Sequence, residues 1–231
     1  MDLAEHLRAS TRDLHGVTEH AGIMPALLRG QIDRVTYCAL LHNLHAIYAA
    51  LELALTRQAS HAVVGPAALF AKLFRAAALT DNLNTLHGGT WASALPLEPA
   101  TAAYVQRLRD VETSAPALLL AHPHVRSLGD LSGGQSRRGI VAKTLRLEGG
   151  VGTRFFDFGS VSDVAAHRQA FRAALGTLPV DEDSAAGSVA EAESAFEQHA
   201  ELFEQLDARR SAAPVADPCQ PEHRGLRVLD E

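Results

Sequence analysis

The stretch Leu128-Gly-Asp-Leu-Ser-Gly-Gly-Gln135 places the strongest constraint on the fold of this chain. Gly129, Gly133 and Gly134 lie in a segment, 117–147, whose pattern is helical at both ends and interrupted by these glycines and by Pro123. Each glycine in a helix interior costs roughly 0.5–1 kcal/mol relative to alanine. Two explanations stay open: a close helix–helix crossing, or a flat ligand that contacts backbone where no Cβ intervenes.

Two well-known glycine-rich motifs do not fit this stretch. The glycines are not followed by a lysine and a serine or threonine, so a phosphate-binding P-loop is excluded. The residue two positions before Ser132 is Asp130 and not glycine, which excludes a nucleophile elbow.

The composition indicates a globular protein without a nucleic-acid partner. The chain has 231 residues, 47% of them hydrophobic, and 21 basic against 27 acidic residues give a net charge of -6. This lacks the basic footprint of a nucleic-acid binder. Any anionic ligand must therefore be bound by a local cluster of arginines.

The chain shows no sign of a membrane or an oxidising compartment. Its N-terminus carries charged residues and no signal-peptide pattern, and no stretch reaches the roughly 18 uncharged apolar residues that span a bilayer. Cys38 and Cys219 lie far apart, which suggests neither a disulfide framework nor a zinc site. We expect a soluble, cytoplasmic protein.

Helical periodicity dominates, and we predict one all-α domain over 1–210 followed by a disordered tail over 211–231 that is rich in proline and charge. One apolar face of a first helix runs from Leu3 to Val17. Asp33 is expected to cap a second, longer helix. Further helices are expected over 67–79 and after Gly187.

The first helix carries a candidate metal ligand. Thr11, His15 and Glu19 are spaced i, i+4, i+8 and share one stripe, with Arg8 one turn further back. A histidine beside an apolar face is more often an ordinary core or surface residue, and this chain has 12. A carboxylate at i+4 favours a ligand, because it fixes the tautomer that leaves the other ring nitrogen for a metal.

Other polar pairs allow two interpretations each. His42 and His45 are spaced i, i+3 and could bridge a metal, although ordinary polar positions are the preferred interpretation. Arg168 and Arg172 are spaced i, i+4 and form either a solvated helix face or a clamp for carboxylates.

Taken together, these segments resemble the heme oxygenase family. Leu128 to Gln135 resembles its distal-helix signature, and Leu7-Arg-Ala-Ser-Thr-Arg-Asp-Leu-His15 resembles the helix that supplies its proximal ligand. Similarity continues in collinear order to about Arg210. The further matching segments are Gly30-Gln31, Ile47 to Glu52, Tyr104 to Leu108, Phe155-Phe156 and Ala195 to Leu206.

The resemblance implies a single compact helical domain with heme between the proximal helix and a kinked distal helix. His15 matches the iron ligand, with Glu19 supporting it. Asp130 matches the aspartate that orders water, and Arg126 a residue of the same network. The remaining expected heme-site residues are Gly129, Gly133 and Gly134 against the ring, Arg8, Arg168 and Arg172 at the propionates, and Thr11, Met24 and Phe196 around the pocket.

The implied activity is that of a soluble, bacterial-type heme-degrading monooxygenase. Heme b, which is both substrate and cofactor, is cleaved at a meso carbon to biliverdin, carbon monoxide and ferrous iron. Dioxygen and an electron donor such as ferredoxin or a flavin reductase are the expected co-reactants. No membrane partner is expected.

The sequence departs from the family pattern just before the glycines. Pro123 and His124 stand where alanine and tyrosine are common, and Ser127 stands where another tyrosine is frequent. Because proline removes a helical hydrogen bond, the distal helix is expected to start differently here. These departures are the only support for an alternative, a heme carrier or sensor without turnover. A helical interaction protein without heme would explain the periodicity but not the arginines, His15 and the glycines together.

Overall fold

A computed structural model describes residues 2–65, 71–178 and 180–212, without the side chains of residues 127, 128 and 132. Within these ranges the regular structure is helical and contains no β-strand, which confirms the all-α prediction. The α-helices are α1 (Leu3–Ser10), α2 (Arg12–Glu19), α3 (Met24–Leu28), α4 (Arg34–Arg57), α5 (Ala76–Leu86), α6 (Trp91–Ala94), α7 (Pro99–Ser114), α8 (Ala121–Leu145), α9 (Val161–Gly176) and α10 (Glu182–Ala212). Short 3-10 turns cover Ala71–Leu73, Pro116–Leu120 and Arg154–Phe156.

The predicted first helix is divided in two at Thr11. The backbone there has φ -100° and ψ 6°, and this residue separates α1 from α2. Leu3 and Leu7 are buried as predicted, but Val17 is 62% exposed. The prediction of one apolar face over the whole segment is wrong, because the turn at Thr11 changes which face of α2 points inward.

The longest apolar helix, α4, lies in the core. Asp33 caps it by accepting a hydrogen bond from the Thr36 backbone N–H at 2.7 Å, as predicted. By length and composition alone α4 could cross a membrane, but 67% of its most apolar window is buried inside the fold. Its partners are α5 and α7, which cover its apolar sides.

Two other predicted boundaries differ from the structure. In the described part of 67–79, a 3-10 turn precedes α5, which begins only at Ala76; residues 66–70 lie outside the described ranges. The last helix begins at Glu182, before the predicted start at Gly187. A Cβ on Gly187 would lie 3.4 Å from the Leu118 side chain. This glycine therefore lies inside α10, where the helix packs against the 3-10 turn Pro116–Leu120.

The end of α10 lies close to the predicted domain boundary. The helix continues to Ala212, two residues into the segment predicted as a tail. The rest of that tail, 213–231, lies outside the described residues, as does Cys219.

The glycine-containing segment forms one continuous helix, α8, from Ala121 to Leu145. The predicted interruption is therefore wrong. Pro123 lies in the first turn, where a backbone N–H has no acceptor within the helix in any case. The proline therefore removes no helical hydrogen bond, and α8 starts without disruption.

The last helix, α10, contacts both α2 and α8, whereas α2 and α8 make few direct contacts with each other. A cleft therefore lies between α2 and α8, with α10 closing one side. This arrangement places residues from opposite ends of the chain around a single space.

Candidate active site

The cleft between α2 and α8 brings together residues of three helices that the sequence analysis singled out. His15 and Glu19 of α2, Gly129 and Asp130 of α8, and Phe196 of α10 all border it. Its empty volume, counted with the open solvent at its mouth, is about 670 Å³. The structure thus brings together residues that the sequence places in three separate segments.

The cleft has two lobes of different chemistry that share His15, Gly129 and Phe196. One lobe, called the apolar lobe here, is lined mainly by Met24, Leu27, Leu40, Leu41, Leu44, Val125, Phe155, Phe156 and Phe203. Its polar lining residues are Thr18, Glu19, Arg126, Asp130, Arg137 and His199. The cationic lobe is lined by Arg8, Thr11, Arg12, His124 and Arg172. A ligand with a large apolar body and anionic groups at one end matches this division.

The predicted propionate-binding arginines lie on one side of the molecule. Arg8 and Arg172 border the cationic lobe and also a neighbouring groove, which Arg168 lines as well. Arg8 is exposed and pairs with Glu5 at 2.6 Å. The Arg168 guanidinium donates to the Leu131 carbonyl at 3.4 Å. Arg8 and Arg172 thus lie at the cationic lobe, and Arg168 lies in the neighbouring groove, which Asp2 and Glu5 also line.

His15 is accessible from the cleft and held by an aromatic neighbour. Its side chain is 41% exposed, and its ring meets Phe196 edge to face with centroids 5.9 Å apart. Nδ1 lies 3.8 Å from a Glu19 carboxylate oxygen, which is too long for a direct hydrogen bond. Among the described residues, none makes a hydrogen bond to the His15 ring, so Nε2 is available to a ligand.

Asp130 is buried and fixed by two donors. The Tyr48 hydroxyl donates to its carboxylate, and the Arg126 guanidinium donates to the same oxygen at 2.9 Å. Burial, reinforced by Asp130, holds the pKa of Tyr48 well above its usual value, so this hydroxyl stays protonated and keeps donating. The sequence did not single out Tyr48, which lies 82 residues from Asp130 and meets it only in the folded chain.

His199 is a second polar residue of the cleft that the sequence analysis missed. It is 1% exposed and lines the cleft from α10. Burial and the nearby Arg126 charge hold its pKa well below the usual value, so the imidazole is neutral. Nδ1–H donates to the Ala195 carbonyl at 2.7 Å, which leaves Nε2 as an acceptor without a partner among the described residues.

The three glycines of α8 have three different environments. A Cβ on Gly129 would have nothing within 4 Å, so the backbone here borders open space in the cleft. A Cβ on Gly133 would lie 2.7 Å from the Arg137 guanidinium, which covers this position. A Cβ on Gly134 would instead lie 3.4 Å from the Phe156 carbonyl oxygen. In this structure Gly134 packs closely against Phe156, the alternative that the sequence left open, and its contact with a ring stays a prediction.

The other histidines singled out in the sequence have structural neighbours. His42 and His45 both pack edge to face against Trp91. Among the described residues, no group of three or more His, Cys, Asp or Glu side chains is placed to hold a metal ion. A metal at His15 would therefore have to bring its other ligands with it, as the iron of a porphyrin does.

The same architecture is found in known proteins. A family model described as heme oxygenase matches residues 1–205. The chain belongs to the heme oxygenase family. Members of this family are enzymes that degrade heme to biliverdin, and the resemblance stated from the sequence is confirmed.

Relatives of this heme oxygenase cover most of its length. Heme oxygenase 1 of Nostoc sp. is 34% identical over 206 residues, which span 89% of this chain and 86% of the relative. Heme oxygenase 1 of Rattus norvegicus is 36% identical over 208 residues, or 90% of this chain and 72% of the relative. The crystal structure of heme oxygenase-2 from Synechocystis sp. in complex with heme and NO matches with a TM-score of 0.88 and 33% identity. That match covers 92% of this chain and 88% of the other.

Two of the three residues that depart from the family pattern have side chains in the described part of the structure. Pro123 is accommodated in the first turn of α8. His124 is buried at the cationic lobe, where burial and the Arg172 charge lower its pKa to about 4. The side chain of Ser127 lies outside the described part of the structure.

Proposed function

We propose that this heme oxygenase binds heme b between α2 and α8, with His15 as the protein ligand to the iron. The observation that carries the proposal is that His15, Gly129, Asp130 and Phe196 meet at one cleft, of which one lobe is lined by Arg8, Arg12 and Arg172. The ring would lie over Gly129 with its hydrophobic edge in the apolar lobe. Its two carboxylates would face Arg8, Arg168 and Arg172.

The residues present fit this group. The open space at Gly129 leaves room for a ring against the backbone, and Met24 and Phe196 supply apolar walls. Guanidinium groups bind carboxylates with charge-assisted hydrogen bonds, which suits the cationic lobe to propionates. The related Synechocystis structure holds heme, which supports the same ligand here.

Asp130 is the residue that we assign to proton transfer. When bound, heme supplies both the iron that takes up dioxygen and the carbon framework that is oxidised. The Asp130 carboxylate accepts hydrogen bonds from Tyr48 and Arg126, and its remaining lone pairs can hold a water molecule beside Gly129. This water would bring protons to the open face of the ring, where the reaction consumes them.

The co-reactants belong to the proposal as well. Heme degradation consumes dioxygen and electrons, and we infer ferredoxin or a flavin reductase as the electron donor. We place the protein in the cytoplasm as a soluble enzyme without a membrane partner. The acidic net charge of -6 agrees with an enzyme whose substrate is bound by a local arginine cluster.

A hemin titration followed by reduction tests the proposal. Purified protein is mixed with hemin, the Soret band is recorded, and ascorbate or reduced ferredoxin is then supplied in air. We expect a shifted Soret band and then biliverdin. The absence of a Soret shift would refute heme binding, and a stable complex that yields no bilin would favour a carrier or sensor.

Replacement of the proposed ligand tests the role of His15. We expect His15→Ala to lose the native Soret spectrum and bilin formation, and added imidazole to restore much of the spectrum. His20→Ala is the matched control, since His20 lies at the end of the same helix but is exposed and bonds only to the Gly16 carbonyl. A native spectrum in His15→Ala would contradict the assignment.

A further inference from the structure

Arg137 crosses the cleft from the distal wall to the proximal one. Helical side chains point toward the N-terminus of their helix, so a residue at i+4 covers the residue one turn earlier. The Arg137 side chain runs back over Gly133, and one guanidinium nitrogen lies 3.4 Å from the Gly129 carbonyl oxygen. The other terminal nitrogen donates to a Glu19 carboxylate oxygen at 3.0 Å. The guanidinium thus joins α8 to α2.

This guanidinium occupies a surface that a bound ring would need. It lies in contact with the bare backbone of Gly133, and Arg137, not Gly133, lines the cleft. Its side chain is 12% exposed, so it is part of the cleft wall and not a surface group. A porphyrin between α2 and α8 cannot lie against the same backbone while the guanidinium stays there.

Glu19 is shared between this arginine and the proposed iron ligand. Its carboxylate bonds to Arg137 at 3.0 Å, whereas His15 Nδ1 lies 3.8 Å from it. A carboxylate hydrogen bonded to the Nδ1–H of a ligating histidine orients the ring and raises its basicity. The Arg137 bond engages one Glu19 oxygen, and the other oxygen lies 3.8 Å from Nδ1, so Glu19 does not make that bond while Arg137 holds the carboxylate in this position.

We propose that Arg137 and Glu19 form a latch across the substrate cleft, and that entry of heme opens it and releases Glu19 to His15. Arg137 is then a positioning residue, which acts on the proximal ligand through Glu19. The proposal rests on the heme site proposed above. Under this proposal, the departure of the Arg137 guanidinium both opens the cleft to heme and allows Glu19 to hydrogen bond to His15.

Zinc protoporphyrin is a suitable probe, because it binds an axial histidine without being degraded and its fluorescence reports association. We expect the association rate to rise about three- to tenfold in Arg137→Leu, which corresponds to the loss of one partly buried ion pair. Glu19→Gln is expected to give a similar rise. The double variant should be no faster than either single one, since both remove the same latch.

Two further variants keep the test specific. Arg138→Leu is the matched control, because Arg138 is adjacent but pairs with Asp157 at 3.4 Å outside the cleft, and its association rate is expected to be unchanged. Arg137→Gln serves if the leucine variant folds poorly, as it removes the charge and keeps a polar side chain. An unchanged rate in Arg137→Leu and Arg137→Gln would overturn the latch. A slower rate would overturn it too and would mark Arg137 as a cation that attracts the substrate carboxylates.

The iron–histidine stretching vibration of the ferrous heme complex tests whether Glu19 is released to His15. If heme displaces Arg137, the wild type and Arg137→Leu give the same frequency, whereas Glu19→Gln gives a lower one. A shifted frequency in Arg137→Leu would show that Arg137 still holds Glu19 in the loaded protein and would overturn the partner exchange. If zinc protoporphyrin does not bind the wild type, the proposed heme site itself fails, a result distinct from unchanged rates among binding variants.

Discussion

Tyr48 and Asp130 lie 82 residues apart in the chain, yet they make the contact that defines the chemistry of the cleft. The Tyr48 hydroxyl and Arg126 both donate to one carboxylate oxygen of Asp130. Because Arg126 is almost fully buried, its charge would be costly without that carboxylate. The two donors therefore hold Asp130 in one orientation at the distal wall.

The role of this carboxylate is tested by removing its charge. Asp130→Asn keeps the shape of the side chain, so we expect hemin affinity to stay within about threefold while bilin formation falls about 100-fold or more, as is typical when a proton-transfer group is lost. Tyr48→Phe removes one donor and should slow bilin formation about tenfold. Hemin titration and the rate of bilin formation measure both effects.

The control for these variants is Tyr37→Phe. Tyr37 is also a buried tyrosine of α4, but its hydroxyl donates to the Gly152 carbonyl away from the cleft. Its loss is expected to leave the bilin rate unchanged. A normal bilin rate in Asp130→Asn would refute the role assigned to that residue.

Single residues differ in how well the sequence predicted them. His15 and Glu19 were singled out by their i, i+4 spacing, and Gly129 by the free-energy cost of glycine in a helix interior. The structure places all three at the cleft. Arg137 was missed, although its i+4 spacing from Gly133 was a local signal that could have found it. Tyr48 and His199 depend on contacts between distant helices, which no local pattern specifies.

At the scale of the helix, α8 contains glycines whose roles can be separated. Gly129 and Gly139 lie in the same helix, and a Cβ on either would have nothing within 4 Å. Alanine is favoured over glycine in a helix interior by roughly 0.5–1 kcal/mol. The two positions therefore differ in their relation to the cleft and not in the space around them.

We predict that Gly129→Ala and Gly139→Ala both stabilise the ligand-free protein by about 0.5–1 kcal/mol. Only Gly129→Ala should weaken hemin binding, by about tenfold or more, because its methyl group would enter the space of the ring. Urea unfolding and hemin titration measure the two effects. Equal hemin affinities for the two variants would show that the ring does not approach Gly129.

Sequence periodicity predicted some helix boundaries correctly and missed others. It located α4 and its cap at Asp33, because an apolar stripe and a capping aspartate are local features. It gave no warning of the turn at Thr11, since both flanking segments are helical and only their packing separates them. It also predicted that α8 is interrupted, although the helix is continuous and packs along α10.

At the scale of the whole molecule, α10 is the element that keeps the two walls in place. Glu191 on this helix bonds to Arg107 of α7 at 2.5 Å and lies 3.3 Å from His122 of α8. Burial alone would raise the pKa of Glu191, but the neighbouring His122 and the hydrogen bonds from Arg107 lower it to about 2. The carboxylate therefore joins three helices in its charged form.

This linkage predicts an acid-dependent loss of stability. A carboxyl group whose folded pKa is about 2 and whose ordinary value is 4.5 stabilises the fold above pH 4.5, and this contribution is lost as the pH falls from 4.5 toward 2. Its size is on the order of 2 to 3 kcal/mol. Urea unfolding at a series of pH values should show a flatter profile for Glu191→Gln over this window.

Glu197→Gln is the control for that experiment. Glu197 lies on α10 but is exposed, so its replacement should keep the wild-type pH profile. If Glu191→Gln showed the same slope between pH 5 and pH 2 as the wild type, Glu191 would not be the group responsible.

The family assignment was within reach of the sequence, because its motifs occur in collinear order along most of the chain. The position of the cleft was not, since it results from α10 packing against both α2 and α8 while these two scarcely touch. The sequence therefore predicted candidate residues on α2 and α8 but not the space between these two helices.

Diffraction from crystals of the hemin complex tests the central claim most directly. The account predicts iron bonded to Nε2 of His15, the ring against Gly129, and the propionates toward Arg8, Arg168 and Arg172. Iron bound to any other side chain, or heme outside the cleft between α2 and α8, would contradict it.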